Sequence, residues 1–245
     1  MKEKIQKILA NSGFGSRREL EKKIYLKKLY VNNKLVKIGM RINENDIRNF
    51  ILDGKKKHLI KKNFLLPKIL LYHKKNGEIC SNSTKEKENT VFQKIPKLKY
   101  GKWISIGRLD LNSSGLLLFT SSGKLANSLM HPKNRIERKY KIRVFSRFDS
   151  EKKIHILKNG VKLDDGFAKL TFIKFFGGKG KNKWYIVSLN EGRNREIRRI
   201  WKHINCQVNK LIRISFGKIK LPKNLFPGCY KELNRIEVKD FLSSL

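Results

Sequence analysis

Gly107-Arg108-Leu109-Asp110-Leu111-Asn112-Ser113-Ser114-Gly115-Leu116-Leu117-Leu118-Phe119-Thr120 holds a turn, one carboxylate and an apolar strand in a single short run. Gly107 and Gly115 loosen the backbone at both ends of the polar part. Leu116 to Thr120 reads as a strand, and Ser121-Ser122-Gly123 turns the chain into an expected helix at 124–130. The chain carries 58 Lys and Arg against 20 Asp and Glu, a formal net charge of +38. A carboxylate in so constrained a setting, in a chain so poor in acids, makes Asp110 the first candidate for a reacting group.

Outward from this stretch, strands dominate. Residues 69–74 are expected as a strand, with Gly77-Glu78-Ile79-Cys80 continuing a hairpin. Residues 140–144 alternate with period two, and 167–173, 184–189 and 208–216 are further strand candidates. Gly177-Gly178-Lys179-Gly180 reads as a flexible turn, and Asp164-Asp165 as a solvated one. A basic helix is expected at about 194–203 and a closing helix at 237–245. The pattern predicts an α+β domain over residues 63–245 with a mixed, largely antiparallel sheet.

Residues 1–62 form a separate basic module with 18 Lys and Arg against 6 Asp and Glu. Ile5, Ile8 and Leu9 have helical spacing, and Asn11 to Gly15 breaks that helix. Ser16 with Glu19 has the spacing of a capping box, opening a second helix with Leu20, Ile24 and Tyr25 on one face. Asn32-Asn33 marks a hairpin. Lys55-Lys56-Lys57-His58 to Lys61-Lys62-Asn63 is a charged linker. Arg17, Arg18 and Lys34 are candidate phosphate contacts.

The charge excess favours a polyanionic partner, nucleic acid first. Lysine supplies 43 of the 58 cations, so part of the charge is solvated surface in any reading. Cys80, Cys206 and Cys229 are scattered and odd in number, which fits a reducing compartment and gives no zinc spacing. No signal-peptide pattern and no membrane-length apolar run is present, so the expectation is a cytoplasmic protein with no membrane association. His73, His131 and His203 have no paired spacing, there is no phosphate-binding glycine loop, and no deaminase pattern exists. No metal and no cofactor is expected.

Residues 2–60 resemble the alpha-L RNA-binding motif through Ser16-Arg17-Arg18, Tyr30-Val31-Asn32-Asn33-Lys34 and Gly39, departing from it mildly at Lys27-Lys28 and Asn33. Residues 107–120, with Lys124-Leu125-Ala126-Asn127 and His131-Pro132, resemble the catalytic motif of the ribosomal RNA pseudouridine synthases of the RsuA/RluB type. Matches continue through Tyr72-His73-Lys74, Glu137 to Val144, Glu191 to Arg199, Leu211 to Ile214 and Leu221 to Leu225. The resemblance is greatest to the branch acting on large-subunit (23S) rRNA. It implies base flipping and isomerisation of one uridine, with Asp110 as the catalytic carboxylate. It further implies Tyr140 as the active-site tyrosine and Arg198 as the cation paired with Asp110, where a guanidinium favours the charged carboxylate. Lys74, Arg108, Arg193, Arg195 and Arg199 are candidate RNA contacts, and Leu211 a pocket wall. Lys75 replaces a usual proline and Glu196 a common glutamine. The expected partner is rRNA or a pre-ribosomal particle, met by a monomer. The alternatives are the same activity on 16S rRNA, or a non-catalytic assembly factor. A nuclease is disfavoured by the lack of clustered carboxylates.

Overall fold

The computed structural model describes residues 2–59, 66–81, 89–99, 101–146 and 154–244. Residues 60–63 of the expected charged linker lie outside this set, and Lys55–Lys57, expected to open that linker, form a strand instead. Two compact units emerge: Met1–Pro67 with Lys97–Ile104 and Ser121–Gly123, and Lys68–Pro96 with Ser105–Thr120 and Lys124–Leu245.

In the first unit, helices Ile5–Asn11 and Arg17–Tyr25 accompany a sheet ordered Lys34–Leu35, Leu29–Val31, Phe50–Leu52, Lys55–Lys57. The Ser16 hydroxyl accepts from Glu19 N at 3.1 Å, and the Glu19 carboxylate accepts from Ser16 N at 2.6 Å, so two free helix amides are satisfied. Asn32 and Asn33 both have positive φ, +50° and +63°, as a tight turn with right-handed strand twist requires. Ile5, Leu9, Leu20, Ile24, Leu29 and Phe50 form the core. Tyr25 departs from the expected face and is 76 % exposed, because a fifth residue beyond Leu20 has rotated well past the buried stripe.

The main sheet of the second unit runs Phe172–Lys179, Asn182–Leu189, Arg138–Phe145, Gln207–Phe216, Ser114–Thr120, Ile69–Lys74, Tyr230–Glu232. Neighbours along this order are antiparallel except at one place: Gln207–Phe216 meets Ser114–Thr120 in parallel, with Ile212 beside Ser114 and Arg213 beside Gly115. Gly115 has φ +103°, and a Cβ there would lie 2.3 Å from the Arg213 carbonyl oxygen. Only glycine permits this junction. The junction aligns one row across the sheet: Val187, Tyr140, Arg213, Gly115 and Lys74. The loop holding Asp110 enters the sheet at this row.

Three local expectations are corrected. Residues 77–80 form no hairpin strand. Glu78 folds back, its carboxylate accepting from Tyr72 Oη at 2.8 Å and Lys75 N at 2.9 Å, and Ile79 makes only a bridge to Thr90. Residues 167–173 divide into Gly166–Ala168, which pairs with Val161–Leu163, and the start of Phe172–Lys179. Gly177 and Gly178 lie within that second strand, paired with Trp184 and Lys183, and follow a bulge.

Gly115→Ala should destabilise the protein by at least about 2 kcal/mol, since it adds both left-handed strain and a backbone clash. Thermal denaturation checks this, and an unchanged midpoint would contradict the junction described.

Candidate active site

A cavity of about 930 Å³ opens at the parallel junction. Its wall includes Asp110, Arg108, Tyr140, Arg193, Arg195, Arg198 and Leu211, so seven residues singled out in the sequence converge on one space. Arg17, Arg18 and Lys34 are exposed on the first unit.

The Asp110 loop is held through its backbone. Ser113 N donates to Asp110 O at 3.0 Å, and Gly77 N donates to Leu111 O at 2.9 Å. Leu109 N points at Cys80 Sγ, 3.5 Å away. The strongest tether is Lys74, whose side chain is fully buried. Its ammonium donates to the carbonyls of Ser113 (2.7 Å), Lys75 (3.0 Å), Asp110 (3.1 Å) and Leu111 (3.3 Å). Burial lowers the Lys74 pKa from the ordinary lysine value, and the negative potentials of Cys80, Glu78 and Asp110 oppose that fall. Lys74 is therefore not an RNA contact: no surface of it reaches a phosphate, and its donors serve the loop.

Arg198 corrects a second expectation. It makes no ion pair with Asp110; its Nη1 donates to Val208 O at 2.6 Å and its Nη2 to Asn112 O at 2.7 Å. It thus clamps the same loop from the opposite side and acts on Asp110 through its field. Its Nε is buried with no hydrogen-bond partner. The Asp110 carboxylate makes no hydrogen bond or ion pair among the described residues and faces the cavity. Tyr140, 8 % exposed, presents its ring to the same space, and Leu211 supplies apolar wall.

Arg193 and Arg199 are already engaged. Arg193 bridges Glu191 at 2.7 Å, Glu196 at 3.2 Å and Asp165 at 3.3 Å. Arg199 grips both Asp165 oxygens, at 2.8 and 2.7 Å. Hydrogen bonding from Arg199 holds the Asp165 carboxyl below its usual range. The acidic turn expected to be merely solvated is thus the counter-charge for two arginines of the basic motif. Asp165 is exposed, so each exposed pair adds little stability but lowers the cation's claim on a phosphate.

Two cavity residues escaped the sequence reading. Arg138 and Arg213 are 9 % and 2 % exposed and stack at 4.9 and 5.4 Å over the Phe216 ring. Arg213 Nε donates to Leu116 O at 2.7 Å, while its Nη2 is buried and unpartnered. The signal was available: period two from Tyr140 and Leu211 places both arginines on the inward face. Among the described residues no cluster of side chains could hold a metal ion, and His73 Nδ1 is taken by Leu225 O at 2.7 Å.

Glu196, buried at the foot of the cavity, has its pKa raised to about 7, first by burial and then by a hydrogen bond with Glu191. A protonated glutamate is nearly isosteric with the glutamine that the resemblance leads one to expect here. The native state then binds a proton that the unfolded chain releases above 4.5, so folding stability should fall as pH rises from 4.5 to 7. Glu196→Gln should remove this slope, so that its stability relative to the parent rises with pH between those limits. Denaturant titrations at several pH values check it, and parallel stability curves for the two proteins would contradict it.

Residues 68–203 match the model of the RNA pseudouridylate synthase family, and residues 3–47 match the S4 domain. The chain is 50% identical over 241 residues to ribosomal large subunit pseudouridine synthase B of Buchnera aphidicola subsp. Baizongia pistaciae (strain Bp), covering 97% of this chain and 96% of that one. It is 46% identical over 237 residues to the protein of the same name in Escherichia coli (strain K12), covering 96% and 80%. A crystal structure of a pseudouridylate synthase superposes with a TM-score of 0.62 at 22% identity, covering 96% of this chain and 97% of that one. With a match spanning more than half of its length and close relatives along nearly all of it, the chain belongs to the RNA pseudouridine synthase family.

Proposed function

We propose that this protein isomerises one uridine of large-subunit (23S) rRNA to pseudouridine, with Asp110 as the catalytic carboxylate. The observation that carries the reading is an unpartnered carboxylate facing a cation-rich cavity, on a loop braced from two sides by Lys74 and Arg198. The names of the relatives at 46–50% identity support the large subunit over 16S rRNA.

In this reading the target nucleotide leaves its stack and enters the cavity. The cavity volume lies in the range typical of small-molecule sites. Tyr140 offers a ring for the uracil to stack on and a hydroxyl for proton transfer. Asp110 acts on the ribose as nucleophile or base. The bond from N1 to the sugar breaks, the uracil turns, and its C5 takes the sugar carbon while losing a proton. Atoms and electrons balance within the substrate, so no oxidant or reductant enters. Arg108 and Arg195 rim the opening and meet phosphates, and Arg17, Arg18 and Lys34 of the first unit grip structured RNA. Three free thiols and the substrate class support an enzyme of the cytoplasm, read here as a monomer. No helix of the described residues is long and apolar enough to cross a membrane. A non-catalytic assembly factor would not need a braced, unpaired carboxylate.

Pseudouridine mapping of both rRNAs, in cells carrying the parent protein or Asp110→Asn, tests this reading. One 23S site should vanish in the variant, while RNA affinity stays within about twofold, because a neutral isostere removes the reacting group and little binding energy. Persistence of every site would overturn the role of Asp110, and loss of a 16S site instead would reassign the substrate.

A further inference from the structure

Beside the catalytic cavity lies a second hollow of about 600 Å³, lined by Phe145, Arg195, Arg198, Lys202, Asn205 and Gln207. Arg195 and Arg198 line both spaces. Among the described residues, no acidic one lines the second hollow. Arg195, Arg198 and Lys202 recur at three- and four-residue spacing, which stacks them along one side of the helix Glu196–His203 and its cap. Like charges so arranged repel, and Arg195 depresses the Arg198 pKa, though less than burial does. Nearby arginines of the same motif escape such repulsion, since Arg193 and Arg199 are paired with Asp165 and Glu191. By contrast, the side chains of Arg195 and Lys202 have no hydrogen-bond or ion-pair partner among the described residues. Arg195 is also held in the left-handed region at φ +48°, a costly backbone for a non-glycine residue. The side-chain amides of Asn205 and Gln207, exposed at the rim, add neutral donors.

We propose that this hollow binds a backbone phosphate of the substrate RNA, that of a nucleotide flanking the one taken into the catalytic cavity. The inference rests on the uridine-isomerase reading and adds to it a path for the strand: it leaves the cavity over Arg195 toward Lys202 and Gln207, away from the Asp165 side. Arg198 joins the two spaces, bracing the Asp110 loop through Asn112 while its charge faces the phosphate hollow. Lys202 thereby becomes a positioning residue that the basic motif alone does not single out.

The test uses the full chain and a transcript of large-subunit rRNA. The double variant Arg195→Gln, Lys202→Gln is compared with Lys174→Gln, Lys210→Gln, which removes two exposed charges outside both cavities. The first should reduce the slope of log affinity against log salt by about one, for the single phosphate no longer held. Its KM should rise roughly tenfold or more with kcat within about twofold, because only uniform binding is lost. The second should change both quantities by less than half as much. Equal effects of the two double variants would overturn the hollow as a site. Should the parent protein form no pseudouridine while the difference in slope persists, the isomerase reading falls and the phosphate site stands.

Discussion

A buried ammonium organises this site. Lys74 ends the strand Ile69–Lys74, fully enclosed, and spends its donors on four carbonyls, three of them in the loop around Asp110. Burying a cation costs several kcal/mol unless its hydrogen bonds are replaced. Here they are replaced by backbone carbonyl oxygens of a tight loop. The loop and the lysine are thus each other's solvation, and neither is stable without the other in place. Arg198 repeats the device from the helix side through Asn112. The carboxylate between them is left with no partner, which is what a reacting group awaiting substrate requires.

The parallel junction sets where this happens. Gly115 lets the two central strands approach, and the row from Val187 to Lys74 carries Tyr140 and Arg213 toward the cavity. Charge is then sorted within a single motif. Asp165 and Glu191 neutralise Arg193 and Arg199, leaving Arg195 and Lys202 with open valence toward an anion. A net charge of +38 attracts RNA broadly; this sorting decides where the strand is held.

Much of this was legible in the residues. The apolar run at 116–119, the capping pair Ser16 and Glu19 and the Asn32-Asn33 turn are local signals, and each appears in the structure as read. Asp110, Tyr140 and Leu211 converge as the motif order implied. What was not legible is non-local. The Lys74 oxygens come from residues up to 39 positions away, and Arg198 reaches a carbonyl 86 positions away, so a motif lysine and a motif arginine looked like phosphate or carboxylate partners. Glu78 broke an expected hairpin by hydrogen-bonding to Tyr72, a side-chain competition that alternation cannot register. Arg138 and Arg213 were not singled out, although their period-two spacing from Tyr140 and Leu211 points inward.

The most direct measurement is steady-state kinetics of Lys74→Met, made well below its melting temperature, with hydrogen exchange followed over residues 109–113. If the buried ammonium sets the geometry of the Asp110 loop, kcat should fall at least about tenfold, exchange in the loop should quicken, and KM and the salt dependence should stay as they were. A raised KM with a shallower salt slope, at unchanged kcat and unchanged exchange, would show that Lys74 meets RNA and would contradict the account.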